Sequence, residues 1–393
     1  MGKKNIAYIN KEMLIWARMQ TPFNSSPSDI NKCFPKIDVE KVKKWENGEL
    51  LPSIREAKEL CKIYKVPFAC LFLSSIPKRE LKKYVDRRTF IGSEYSEMSY
   101  DLWKEIKRIS NDRNVTLTYI DDADKLNGDL ITVTKSDNIS TISSKIRTYF
   151  NMPAYFKYKS EYGGNSFNFF RKLLENKNII VAQISDVDLA EMKGLSIYED
   201  KLPIIAINNK DYERAKTYSL FHELAHLVRR SSSICLIDDN ERNDNEEKIC
   251  DKIAAEVLMP KAEFSIIANS IYEKYNEWNK QSINSIADKF GVSIVSACRR
   301  LHDLNIISDS MYHDIYKVIS EDFNKMLELK KKELTEKNVP YFFHVKYINA
   351  HGHIMPRAVI SAFDSGKISL GEVCKTLNIK SKYINDITRA AML

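Results

Sequence analysis

His222-Glu223-Leu224-Ala225-His226 is an H-E-x-x-H stretch, and the residues around it decide which fold to expect. On an α-helix, positions four apart stand one turn above each other, so both imidazoles can reach one ion. Glu223 lies beside them, placed to take a proton from a water on that ion. The wider segment 211–230 reads as an amphipathic helix whose buried side is Leu220, Phe221, Leu224, Ala225, Leu227 and Val228. The chain has only seven histidines, so this spacing does not come from a histidine-rich composition.

Zinc in a catalytic site takes three protein ligands and keeps a fourth position open. Segment 244–260 offers the third. It begins with acidic residues, which suit the positive end of a helix dipole, and it stops at Pro260, which cannot continue a helix. Glu247 and Asp251 are four apart and share a face. Glu247 can ligate, and Asp251 can accept the outer N–H of a ligand histidine, which fixes its tautomer. Ala254 and Ala255 keep that face small, so the helix can lie close to the motif helix. Glu246 and Glu256 are the competing ligands, with Glu256 well around the helix from Glu247. The plain alternative is that these acids form a solvated charged face.

The stretch 222–226, followed by Glu247-x-x-x-Asp251 and Ala254-Ala-Glu-Val-Leu-Met-Pro260, resembles the ImmA/IrrE family of bacterial metallopeptidases. Segment 194–208 resembles the paired strands that precede the motif helix there. The resemblance covers residues 165–310, with one departure: Ile253 stands where an aromatic is common. It implies that His222, His226 and Glu247 hold one Zn2+ per chain and that Glu223 is the general base. The substrate it implies is a protein, a helix-turn-helix repressor of a mobile element or stress circuit. Tyr218, one turn before His222, is a candidate donor to the oxyanion. The apolar run 202–207 reads either as an edge strand that binds a peptide by strand addition or as a buried strand.

Residues 1–90 carry 19 Lys+Arg against 10 Asp+Glu, whereas the whole chain is only +8. Such asymmetry suggests an anionic partner for the first segment. Short helices are expected at 11–19, 28–34, 38–45 and 53–64, with Asp38 and Ser53 as N-caps and Asn47-Gly48 as a stop. Trp16-Ala-Arg18, Val42-x-x-Trp45-Glu-Asn-Gly48 and Leu60-Cys-Lys-Ile-Tyr-Lys-Val-Pro67 resemble the Xre/Cro-like helix-turn-helix family over residues 8–75. That resemblance implies a third helix that enters the major groove of double-stranded DNA and carries Lys41, Lys43 and Lys44. Asp38 and Glu40 share the helix, no Gln or Asn is placed to read adenine, and the first loop is longer than is usual in the family. A helical module that docks another helix-turn-helix protein is the competing reading.

The remaining segments set the boundaries. Residues 76–95 read as a basic linker. A strand pair is expected near 117–119 and 130–134, and a further strand at 179–184. Segment 282–307 resembles a second helix-turn-helix-like pair, with Gly291 at the turn and Ser293 as the next cap, and a structural role is favoured for it. A charged connector helix follows within 311–337, then a small domain at 338–393 whose His351-Gly-His353 reads as a turn rather than a metal pair. The seven cysteines include no C-x-x-C pair, and Cys235 falls in a polar loop, 231–245. With no apolar run long enough to span a bilayer and no signal peptide, a reducing cytoplasm is expected and no membrane.

The expectation is therefore an α+β, mostly helical chain. An all-α helix-turn-helix domain (1–75) and a linker (76–95) precede a zincin-like metallopeptidase domain (96–310) with a small sheet. A helical C-terminal region closes it. The competing function is a DNA-binding regulator or antitoxin whose zinc fold senses or stiffens.

Overall fold

The computed structural model describes residues 5–77, 98–120, 130–156 apart from 132 and 135, 165–230, 233–235, 244–336 and 342–392. Nearly all of the expected basic linker and most of the polar loop around Cys235 lie outside these residues. The chain divides into two compact units, Met1–Ser110 and Asn111–Leu393.

The first unit is helical: α1 (Lys11–Met19), α2 (Ile30–Cys33), α3 (Val39–Asn47) and α4 (Ile54–Tyr64), then the start of α5 (Tyr100–Tyr119). Local chemistry sets the helix ends. The Asp38 carboxylate accepts from the Lys41 amide, and Gly48 closes α3 at φ 80°. Ser53 and Glu56 cap α4 reciprocally. The expected helix at 28–34 is a 3-10 turn, Pro27–Asp29, running into the single turn of α2. Leu14, Ala17, Ile30, Val42, Trp45, Leu60 and Tyr64 form the core. Arg18 and Glu46 pair inside it, Nε to Oε1 at 2.8 Å and Nη2 to Oε2 at 3.0 Å. The remaining Arg18 nitrogen donates to the Phe23 and Asn24 carbonyls, which pins the long first loop to the core.

The second unit continues with α6 (Ile139–Tyr149), α7 (Ser166–Glu175), β1 (Ile180–Ile184), β2 (Gly194–Ile197), β3 (Ile204–Asn208), α8 (Glu213–Val228), β4 (Ser233–Cys235) and α9 (Asp244–Leu258). Then come α10 (Lys261–Tyr275), α11 (Lys280–Phe290), α12 (Ile294–Asp303), α13 (Asp309–Glu336), α14 (Phe343–His351), α15 (Ile354–Asp364), α16 (Leu370–Leu377) and α17 (Ile384–Met392). The sheet runs β1-β3-β2-β4, with β1 parallel to β3 and the other pairs antiparallel. Helix α8 packs against β2 and β3, and α9 against α8. The mixed sheet among many helices agrees with an α+β, mostly helical chain.

Two expectations fail here, and one open choice is resolved. Residues 117–119 end α5 rather than forming a strand, and the described residues of 130–134 form no strand. The run Thr116-Leu-Thr-Tyr119 looks β-prone. However, the Thr116 and Thr118 hydroxyls donate to the carbonyls of Asp112 and Asn114, four residues back, at 2.8 and 2.9 Å. Val115 and Tyr119 pack on the C-terminal helices, so tertiary burial overrides propensity. Of the two readings of 202–207 the buried strand holds: β3 has β1 on one side and β2 on the other, so it cannot accept a peptide strand. Cys235 ends a strand, β4, which extends the sheet beyond β2.

The C-terminal helices gather around Tyr347, Ile348, Val359, Val373, Leu377 and Ile387 and bring α14 onto β1. Buried Arg171 joins the two parts by donating to the Val181 carbonyl at 2.8 Å and the Ile348 carbonyl at 2.6 Å.

Candidate metal centre

Helix α8 places the imidazoles of His222 and His226 side by side, their Nε2 atoms 3.2 Å apart. Across from them, α9 brings Glu247, with Oε2 3.1 Å from His222 Nε2 and Oε1 3.3 Å from His226 Nε2. The helices approach this closely because their facing residues are small or apolar: Leu224, Ala225, Cys250 and Ala254 are all fully buried.

The dimensions test which ion would fit. Ligands about 2.0–2.1 Å from a tetrahedral zinc stand about 3.3–3.4 Å from one another. The three edges observed, 3.1–3.3 Å, are close to that figure. Two imidazoles and one carboxylate are also the donor set of a catalytic zinc site. Behind the triangle, Asp251 Oδ1 lies 3.0 Å from His222 Nδ1, which leaves Nε2 as the lone-pair nitrogen for an ion.

The rival acids are engaged elsewhere. Arg229 donates to Glu246 through Nε at 2.5 Å and through Nη2 at 2.8 Å. Glu246, His226 and Cys250 form a second grouping of potential ligands. Its carboxylate is already forked onto a guanidinium, and burial pushes the Cys250 thiol up, away from the thiolate that a metal needs. Glu256 pairs with Arg300 and accepts from the Lys261 amide. Arg229 escaped the sequence reading, although a signal was there: 222, 226 and 229 fall on one helical stripe.

Electrostatics in the cluster favour charge separation. Burial opposes protonation of His222, but the carboxylates of Asp251 and Glu247 overcome it and raise the group to about 10. Burial likewise opposes ionisation of Glu247, yet the two imidazoles hold it well below the usual carboxylate range. Tyr218, considered as an oxyanion donor, donates instead to the Asp251 backbone carbonyl at 2.9 Å. Its hydroxyl ties α8 to α9.

Glu223 is buried, at 1% exposure, against Gly194 of β2. A cleft of about 1310 Å³ opens in front of it, lined on one side by Gly194, His222, Glu223 and Glu247. The far wall is α12: Ser293, Ile294, Val295, Ser296 and Arg299 line the same cleft. Gly291 ends α11 at φ 65°, and Ser293 caps α12. Segment 282–307 thus does form a helix pair, whose second helix faces the site, a role the sequence reading did not reach.

Residues 180–302 match the IrrE N-terminal-like domain of the peptidase M78 family. The match runs from β1 nearly to the end of α12, so it takes in the sheet, both helices of the candidate centre and the far wall of the cleft. It supports the ImmA/IrrE metallopeptidase resemblance for this part of the chain. No curated protein matches the chain.

Among the nucleic-acid candidates, Lys43 pairs with Glu40 at 2.8 Å, and Lys41 lies 3.6 Å from Glu56 and 3.8 Å from Asp38. Lys44 is exposed. Among the described residues, no helix is long and apolar enough to cross a membrane.

Proposed function

We propose that this protein is a cytoplasmic zinc-dependent endopeptidase that cuts a helix-turn-helix repressor, with residues 1–75 as the module that brings it to that partner. The observation that carries the reading is the His222–His226–Glu247 triangle with edges of 3.1–3.3 Å, set in a cleft beside buried Glu223. One zinc ion held there would polarise the scissile carbonyl and lower the pKa of a water from about 15.7 to about 7. The protein's own groups do the rest. Asp251 orients His222, and Arg229 keeps Glu246 out of the ligand set. Glu223 accepts the proton of the attacking water and returns it to the leaving amide nitrogen.

Metal content of the wild type, Glu247→Ala and Glu246→Ala tests the ligand set. One zinc per chain, lost in Glu247→Ala and kept in Glu246→Ala, is the expected result. No zinc in any form after reconstitution would overturn the reading. Zinc-loaded wild type should then cut a helix-turn-helix repressor that Glu223→Gln leaves intact.

A regulator that binds DNA through Lys41, Lys43 and Lys44 is the second reading, favoured by the basic charge of residues 1–90. The local pairing of Lys41 and Lys43 with acids weighs toward a protein partner for this module instead. A gel-shift series at rising salt decides between them: a steep slope would favour DNA.

A further inference from the structure

Gly194 is the first residue of β2 and pairs with Ile207 on one side and Cys235 on the other. A glycine in a paired, buried strand adds chain entropy to the unfolded state and gives no side chain to pack, so its presence calls for a reason. Backbone conformation is not that reason. Three glycines in the described residues would put an added Cβ under 3.0 Å from a neighbour: Gly194, Gly291 and Gly352. Gly291 and Gly352 sit at φ +65° and +75°, where glycine is favoured in any case, whereas Gly194 has no such φ.

What Gly194 provides is space for one side chain. A Cβ there would stand 2.7 Å from Glu223 Oε1, 3.0 Å from its Cγ and 3.2 Å from its Cδ. All three nearest atoms belong to Glu223. That carboxylate is the movable end of its side chain, so an added methyl would displace the carboxylate before it displaced the strand.

We propose that Gly194 is a positioning residue: the missing side chain at 194 is the seat of the Glu223 carboxylate and holds it beside His222 and His226. For what Glu223 does, this inference rests on the peptidase reading; the seat itself does not. Strand β2 then has a second task besides completing the sheet. It fixes one wall of the cleft and the height at which the base meets a water, and any side chain at 194 takes that height away.

The test is a double-mutant cycle on the full chain with Gly194→Ala, Glu223→Ala and the double variant, read in two ways. The first readout is the thermal midpoint of the metal-free protein. If the methyl acts through Glu223, Gly194→Ala should lower Tm by about 2–4 °C in the wild-type background and by much less once Glu223 is alanine. The second is the affinity of the cobalt(II)-loaded protein for acetohydroxamate, followed by its visible spectrum. The acidic N–O–H group of this probe is a donor that a neighbouring carboxylate would accept from. Gly194→Ala should keep one cobalt per chain yet weaken acetohydroxamate about tenfold, and this loss should vanish in the Glu223→Ala background.

Equal losses in both backgrounds would mean a general strand defect and would overturn the proposal, as would no loss in either. A wild type that takes up no cobalt would break the peptidase reading instead, and the thermal cycle would still decide the seat.

Discussion

Two closely spaced histidine pairs in the second unit, His222/His226 and His351/His353, meet carboxylates and do opposite things with them. In α8, His222 and His226 project from one face of a continuous helix, and both nitrogens meet one carboxylate, Glu247. At the turn between α14 and α15, Gly352 sits between His351 and His353 at φ 75° and sends the rings to different partners. His351 Nδ1 pairs with Asp112 at 2.7 Å, and His353 Nδ1 with Glu175 at 2.5 Å. The first arrangement gathers three potential ligand atoms around one point. The second gives two buried acids separate imidazole partners and ties the C-terminal helices to the rest of the unit. Closeness in sequence therefore says little about metal binding until the backbone between the rings is known.

The sharpest way to break this comparison is at Glu223. Glu223→Gln should keep zinc and lose about 10²–10⁴-fold in proteolysis, read as kcat on a cleavable repressor. An active Glu223→Gln would deny that the first cluster is catalytic. Next in size is Asp251→Ala, expected to weaken zinc by about 10–100-fold in competition with a chelator, because His222 loses the partner that orients it. His351→Ala and His353→Ala should leave zinc content untouched. His353→Ala should instead cost about 1–3 kcal/mol of stability by removing the imidazole partner of buried Glu175, measured by denaturant unfolding. Loss of zinc in either variant would erase the contrast.

A smaller effect is expected with pH. Burial opposes the charge on Glu175, but Arg171 and His353 outweigh it and hold the group below the usual carboxylate range. A depressed folded pKa gives stability that is complete above the unfolded value of about 4.3 and fades as pH falls below it. Acid unfolding below about pH 4.3 should therefore be shallower in Glu175→Gln than in wild type. The smallest effect expected is from Lys43→Ala in DNA retention, because that lysine already pairs with Glu40 at the surface. A large loss there would restore the regulator reading.

Much of the architecture could be read locally. Asp38 and Gly48, Ser53 and Glu56, and Gly291 and Ser293 mark helix ends through bonds to their own neighbours, so spacing along the chain suffices. The strand expected at 179–184 is β1, and the paired strands at 194–208 were expected from the family resemblance. Errors fell where a distant segment decides. The end of α5 looks like a strand until the C-terminal helices are there to bury Val115 and Tyr119. The run 202–207 reads equally as an edge or a buried strand until β1 and β2 flank it. Strand β4 is too short to show a pattern at all.

The site divides in the same way. Sequence alone determined the helical spacing of His222 and His226, the place of Glu223 between them, and the shared face of Glu247 and Asp251. All of these follow from 3.6 residues per turn. Only the tertiary structure brings Glu247 to the two imidazoles and forks Glu246 onto Arg229, which reaches across from α8. Only it made α12 a wall of the cleft and Gly194 the neighbour of Glu223. Periodicity orients a side chain on its own element, whereas which partner it meets depends on how separate elements pack, and that geometry is not written in local spacing.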